Sequence, residues 1–357
     1  MKTLLRLLLK TQHPRNRSGS AQTDKGMTLV ELLVGAIMAF LIITPMLGFV
    51  VDMLNTDRRE QVKSNTEQDI QAALDFIAQD LSQAIYIYDQ AGITAINTPT
   101  PKLPSPSPAN GTPILVFWKR QQIKNAVPLR EGENPGDCKL AGATTGIECN
   151  DTYVRSLVAY YQIKEIASNS IWCQPSGADC PSRIERYEIK DGVKNPYAPP
   201  TDPDFPYYSL SDLGGRTSLE KDTAFNKDFD FSAPTKNVAV SPAWPSSQVL
   251  VNYIDHTRKP LDVAECKKAL GTPKTQIGLA ASTDVPETTL KVTDYPDPTS
   301  TNSFYACVDT SKNIARVTIR GNSLRRLQND EADYDASKAA YFPTASVQVQ
   351  GLGALGK

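Results

Sequence analysis

From Leu32 to Val51 the chain runs for twenty residues without a charge, and from Asp52 onward polar positions break up the apolar ones at regular intervals. An uncharged run of about twenty residues is long enough to cross the roughly 30 Å hydrocarbon core as a helix. Residues 27–51 are therefore predicted to form a transmembrane or filament-core helix. Beyond them Val62, Ile70, Leu74, Ile77, Leu81 and Ile85 recur mostly three and four residues apart, the spacing of an amphipathic helix with one buried stripe. That helix is expected over about residues 52–90, continuing into a folded head. Unbroken from Thr28 to Tyr86, it would be roughly 90 Å long at about 1.5 Å per residue. Pro45 and Gly48 mark the expected kink, because proline removes a backbone donor and clashes with the preceding turn. Gly35 and Ala39 form a small-xxx-small pair that would let helices approach closely, although such pairs also arise by chance.

The period then changes. Thr98 to Gly111 is a loop rich in Pro, Ser and Asn, and strands are expected at Pro113–Lys119, Tyr153–Ile166, Arg183–Ile189 and Gln248–Ile254, where β-branched and aromatic residues lie between turn clusters. Ser303–Val308 and Ile314–Ile319 flank Asp309-Thr310-Ser311-Lys312-Asn313, the pattern of a hairpin. Residues 195–245, with repeated Pro, Asp and Tyr, read as a long irregular insertion in a β-rich head spanning 91–350, and residues 351–357 as a flexible tail. The fold class that follows is α+β, a long N-terminal helix packed on an antiparallel sheet with long loops.

Charge adds a direction. Lys2, Arg6, Lys10, Arg15, Arg17 and Lys25 precede Gly26 against a single acid, Asp24, so the N-terminus is expected in the cytoplasm and the head outside it. No small-x-small site follows the run, and any cleavage is expected before it. The net charge of −1 gives no sign of a nucleic-acid-binding surface. Twenty-six prolines and twenty glycines imply many turns. All six cysteines, Cys138, Cys149, Cys173, Cys180, Cys266 and Cys307, lie beyond the anchor, which suggests disulfides in an oxidising compartment. Loop proximity favours Cys138 with Cys149 and Cys173 with Cys180, leaving Cys266 with Cys307; free buried thiols are the alternative.

The stretch Lys25-Gly26-Met27-Thr28-Leu29-Val30-Glu31, followed by an apolar helix, resembles the processing site of type IV pilins and type II secretion pseudopilins. Downstream, Phe76-Ile77-Ala78-Gln79-Asp80-Leu81-Ser82-Gln83-Ala84-Ile85 resembles minor pilins of the PilW and J-pseudopilin type, and more narrowly the cyanobacterial pseudopilins of hormogonium polysaccharide secretion. The resemblance implies a pilin-like fold and a leader over residues 1–26. It implies that a prepilin peptidase cuts between Gly26 and Met27 and that the Met27 amine is methylated. The family's glutamate falls on Glu31. Physically, Gly26 can lie extended in a protease cleft at low steric cost, and an acid within an apolar segment is costly and usually has a partner. The partner implied for Glu31 is the Met27 amine of a neighbouring subunit, which would set intersubunit register; the alternative is a glutamate that reaches headgroup water.

The implied partners are other minor and major pilins or pseudopilins, the prepilin peptidase, the inner-membrane assembly platform and an exported polysaccharide. The implied location is the inner membrane, single-pass, with the head periplasmic. No cofactor and no metal is expected. The pairs Asp202/Asp204 and Asp228/Asp230 and the run Asp330 to Asp333 could ligate calcium, but solvated loops are the stronger reading. Only two histidines occur, His13 and His256, and His256, beside Asp255, has no identifiable nucleophile and reads as a surface residue. The glycines of Gly351 to Lys357 mimic nucleotide-binding motifs, yet no helix follows to hold a phosphate. A structural, non-enzymatic subunit is thus expected. Its alternatives are a tip adhesin gripping polysaccharide through the insertion, favoured by exposed aromatics around Tyr197 to Tyr208, and a membrane-tethered enzyme, which would need a polar pocket.

Overall fold

The structure is a computed structural model; it describes residues 28–105, 110–140, 142–177, 180–202, 204–230, 233, 236, 238–239, 243–257, 264–275, 283–293, 302–328 and 331–353. The chain divides into two units, residues 1–58 and 59–357. The long helix α1, Leu29–Ser82, contributes to both.

Within the second unit, Thr66, Ile70, Ala73, Leu74, Ile77, Asp80 and Leu81 form the buried stripe of α1. The helix stops at Ser82, short of the Tyr86 expected from sequence, because Ala84-Ile85-Tyr86-Ile87 leaves it as strand β1, Ala84–Ile87. These residues pair with the middle of a longer strand, and ladder bonds replace the helical ones. The short helix α2, Gln90–Ile96, follows, its N-cap Asp89 accepting from the Gly92 amide. Then come β2 (Asn110–Pro128), β3 (Cys149–Lys164), β4 (Ser182–Lys190) and β5 (Gln248–Ile254). Together with β1 they make a five-stranded antiparallel sheet in chain order. Strand β2 runs well past its expected end and β3 starts before its expected beginning, while ending at Lys164 rather than Ile166, because the two form one long hairpin.

Two further short helices and the short strands lead to a second sheet. They are α3 (Glu265–Leu270), β6 (Lys274–Thr275), β7 (Thr283–Asp284), α4 (Glu287–Leu290) and β8 (Lys291–Val292). The hairpin β9 (Phe304–Asp309) and β10 (Ile314–Arg320) falls where its sequence pattern placed it, and a final strand β11, Thr344–Gln350, flanks it. The second sheet has the order β11-β10-β9-β8. Gly351, assigned by sequence to a free tail, is held by its amide on the Asn313 carbonyl at 2.9 Å. A β-carbon there would stand 2.3 Å from the Ala84 carbonyl oxygen, so glycine is required for this approach. The rest of that motif, residues 354–357, lies outside the described residues.

Successive residues of a strand face opposite sides of a sheet, and both sides of the five-stranded sheet are covered. Lys119, Tyr160 and Arg186 face α1 and bond Asp80. Trp118, on the other face, stacks on Phe229 at 4.8 Å and meets Phe225 edge-on at 5.6 Å, while Tyr187 meets Trp244. The region 195–245 is irregular but packed, a second cover rather than a free loop. Double coverage explains why Ile114 to Trp118 and Leu157 to Tyr161 are buried without alternation. Farther along the hairpin, Ala126, Val154, Val193, Tyr208, Leu213 and Leu219 build a separate small core. Three disulfides join Cys138 to Cys149, Cys173 to Cys180 and Cys266 to Cys307. The last closes the longest loop, with a sequence separation of 41, and ties α3 to β9.

The polar contact between α1 and the sheet is a closed network. Asp80 Oδ2 accepts from Arg186 Nε at 2.7 Å and from Tyr160 Oη at 2.8 Å, and Oδ1 accepts from Lys119 Nζ at 3.1 Å. Glu188 pairs with both bases, at 2.7 and 3.1 Å. Burial pushes the Asp80 carboxyl up, but the Arg186 hydrogen bond and the Lys119 and Arg186 charges outweigh it and hold it below the usual carboxylate range. A depressed folded-state value means that the stabilisation is present above the unfolded value and is lost as pH falls through the folded one. Replacing Asp80 by Ala leaves two buried cations with Glu188 alone, and we expect a loss of about 3–5 kcal/mol in denaturant unfolding at pH 7. The deficit relative to wild type should shrink below about pH 4, where wild type itself loses the interaction; a pH-independent deficit would show that the charge is not what matters.

Candidate functional site

The described part of the first unit, residues 28–58, is helical from Leu29 onward. Every residue from Thr28 to Glu60 is exposed, including Leu32, Leu33, Ile37, Phe40, Leu41, Ile42, Met46 and Phe49. Its apolar window has a mean hydropathy of 2.4, and among the described residues it is one helix long and apolar enough to cross a membrane. Water does not solvate such a surface favourably on all sides, so the segment requires lipid or other protein around it. The helix runs through Pro45 and Gly48 without interruption. Pro45 has no N–H to give the Leu41 carbonyl, and one residue earlier the Thr44 hydroxyl donates to the Phe40 carbonyl at 2.8 Å.

The N-terminus of this helix is closed by a reciprocal pair. Thr28 Oγ1 accepts from the Glu31 amide at 3.3 Å, and Glu31 Oε2 accepts from the Thr28 amide at 3.3 Å and from the Thr28 hydroxyl at 3.2 Å. This is a capping box, in which two otherwise orphaned amide donors are satisfied together. The carboxylate also lies in the first turn, where the helix dipole favours negative charge. Besides the neighbouring amine or headgroup water expected for it, Glu31 thus has a partner within its own chain. The signal for its partner within the chain, a Thr three residues before a Glu at the head of an apolar run, was present in Thr28-Leu29-Val30-Glu31. Gly26 and Met27 lie outside the described residues.

The other candidate chemistry is dispersed. Asp255 is fully buried and bonds Arg320 Nε at 2.6 Å. His256 is not the surface residue expected: its side chain is 9% exposed and Nε2 lies 3.1 Å from Asp333 Oδ1, because the turn after β5 folds beneath residues 331–334. Asp202 and Asp204 cap their own loop, and no group of three or more potential metal ligands converges among the described residues. A shallow groove between α2 and α4 is lined by Gln90, Thr94, Thr98, Thr288 and Thr289 and carries no titratable side chain. The aromatics of the insertion divide: Tyr197 and Phe205 are each 39% exposed, whereas Tyr208 is buried and Tyr207 donates to the buried Asp191 at 2.7 Å.

No family model matches the chain, and no match to it was found among curated proteins or solved structures.

The capping box separates two roles for Glu31 that one substitution would confuse. Glu31→Gln keeps an oxygen that accepts from the Thr28 amide, whereas Glu31→Ala removes that hydrogen bond at a cost of about 0.5–1.5 kcal/mol to the helix end. Amide hydrogen exchange of the protein in detergent should therefore show first-turn protection retained in Glu31→Gln and reduced several-fold in Glu31→Ala. Equal protection in both variants would remove the capping role.

Proposed function

We propose that the protein is a membrane-anchored, minor-pseudopilin-like subunit of a type IV pilus-like or type II secretion-like filament, supporting polysaccharide export. The observation that carries this reading is the division of α1, with an apolar stretch bare on every side from Leu29 to Val51 and a buried stripe from Thr66 to Leu81. A subunit that exchanges lipid for neighbouring helices needs such a stretch, and it needs a head that folds without it. The basic residues before Gly26, the Lys25 to Glu31 motif and the disulfide-bearing head support the same reading. In this proposal the prepilin peptidase releases Met27, and the inner-membrane platform assembles the mature chain with other pilins. The Glu31 carboxylate, held at the start of the helix by Thr28, faces the neighbouring subunit's amine. The work is mechanical, with no bond-forming step.

A second reading, an adhesin that grips polysaccharide, draws on the exposed rings of Tyr197 and Phe205. The Tyr197 hydroxyl donates to the Leu129 carbonyl at 2.9 Å, which fixes that ring in place.

In cells with an active prepilin peptidase, mass spectrometry of the mature protein should find Met27 at the N-terminus, methylated. A full-length chain, or a terminus after Val51, would sink the filament reading. Glu31→Gln, with its cap intact, should still fail to enter the filament, since the charge and not the cap is what the neighbour reads. For the two readings together, deletion of the protein should lower extracellular polysaccharide while synthesis continues. Normal export with lost attachment is the outcome the adhesin reading requires.

A further inference from the structure

Strand β11 forms the outer edge of the second sheet, and its main chain is half used. The Gly351 amide donates to the Asn313 carbonyl and the Gly321 amide to the Pro343 carbonyl, both at 2.9 Å, and the β10–β11 register is unbroken between those pairs. In an antiparallel ladder, hydrogen-bonded pairs recur every second residue, so Ala345, Val347 and Val349 turn their main-chain groups toward β10. Thr344, Ser346, Gln348 and Gln350 turn theirs away. No hydrogen bond among the described residues reaches those outward amides and carbonyls, and the four side chains are exposed.

Free strand edges are templates for pairing, and proteins blunt them with charge, proline, bulges, shortness or a cover. The other edges are blunted. The Asn313 side chain plugs β1 by accepting from the Ile87 amide and donating to the Ala84 carbonyl. The β4–β5 ladder is twice shifted in register, and β6, β7 and β8 are two residues each. By contrast β11 is seven residues, Thr-Ala-Ser-Val-Gln-Val-Gln, with no charge, proline or glycine and no bulge. Its inward row, Ala345, Val347 and Val349, packs on the main core yet stays only partly buried, as expected of a row with no strand beside it.

We infer that β11 is a self-pairing edge, at which two copies of this chain join their second sheets as antiparallel β11 strands about a twofold axis through Val347. The occupant follows from the pattern. With Val347 opposite Val347, Ala345 lies opposite Val349, Ser346 opposite Gln348 and Thr344 opposite Gln350. Aliphatic meets aliphatic on the inner face, uncharged polar meets uncharged polar on the outer face, and no like charges are brought together. This register also places all four outward-facing residues in hydrogen-bonded pairs, giving about eight main-chain bonds. Shifting it by two residues in either direction leaves an outward-facing residue of each strand unpaired. The inference stands on the sheet edge and not on the filament reading, and either can fail without the other.

The test uses the full chain in detergent. The six native cysteines are paired, so Val347→Cys introduces a lone thiol at the axis. There the Cα atoms of a non-hydrogen-bonded pair lie about 4.5 Å apart, within disulfide range. Mild oxidation should convert Val347→Cys to a covalent dimer. Ser346→Cys should not follow, because the twofold leaves its two copies diagonal to each other and about 8 Å apart, beyond that range. Adding Gln348→Pro to Val347→Cys removes an outward amide and no bond to β10, and should cut the dimer yield about tenfold. Should the proline variant unfold, Ser346→Lys with Gln348→Lys in the Val347→Cys background provides the same reading, since it sets like charges opposite each other across the axis. A chain that stays monomeric on oxidation, equal cross-linking at 346 and 347, or a yield indifferent to both edge variants overturns the inference.

Discussion

A single carboxylate, Asp80, joins the helix to three strands of the sheet at once: Lys119 on β2, Tyr160 on β3 and Arg186 on β4. Burying a charge in a dry interface is costly unless each lone pair is met and the opposite charges are close. Here that condition can be satisfied in one helix position and one rotation, because the three donors sit on adjacent strands with fixed register. The apolar stripe around it, Ile70, Leu74, Ile77 and Leu81, would tolerate small slips; the network does not. Much of the head then follows. With α1 seated on one face, the opposite face must also be covered, and the irregular insertion supplies Phe225, Phe229, Val238 and Trp244 for this.

The same helix meets two environments, and its sequence changes to suit. Around Asp80 polar groups are matched within the chain, whereas from Leu32 to Val51 there are almost none to match, and what surrounds the side chains must come from outside. At the head of that stretch the helix satisfies its own end through Thr28 and Glu31. The precapped terminus lowers the cost of placing a helix end in an apolar setting, where unsatisfied amides are expensive. In the proposed filament, Glu31 would serve two ends: its carboxylate accepts from the Thr28 amide and still has acceptor capacity for a neighbour's amine. Capping and register are thus compatible, and a neutral glutamine distinguishes them.

The head also shows how loops and strand edges are held away from the helix. Disulfides clip the far end of the β2–β3 hairpin and the approach to β9. Side chains close what strands leave open, as Asn313 does at β1, where it takes over the bonds of a missing neighbour. Gly351 lets the end of β11 pass close to the Ala84 carbonyl. Against this economy the edge of β11, uncovered among the described residues, stands out beside the plugged edge of β1.

The helix, its apolar first part and the stripe of its second were legible in the sequence because they depend on local spacing: a run of twenty uncharged residues and a three-four repeat need no knowledge of the rest of the chain. The four main strands and the β9–β10 hairpin were legible for the same reason, and the capping box was equally local though it was passed over. What needed the tertiary structure was nonlocal. Ala84 to Ile87 continues the helical spacing and becomes strand because β2 offers it a ladder. Thr344 to Gln350, modest in hydrophobicity, is a strand because β10 lies beside it. Asp80 reads as a polar residue on an apolar stripe until Arg186, 106 positions away, reaches it. His256 reads as exposed until Asp333, far along the chain, lies against it. In each case local propensity amounts to fractions of a kcal/mol per residue, and contacts distant in sequence outweigh it.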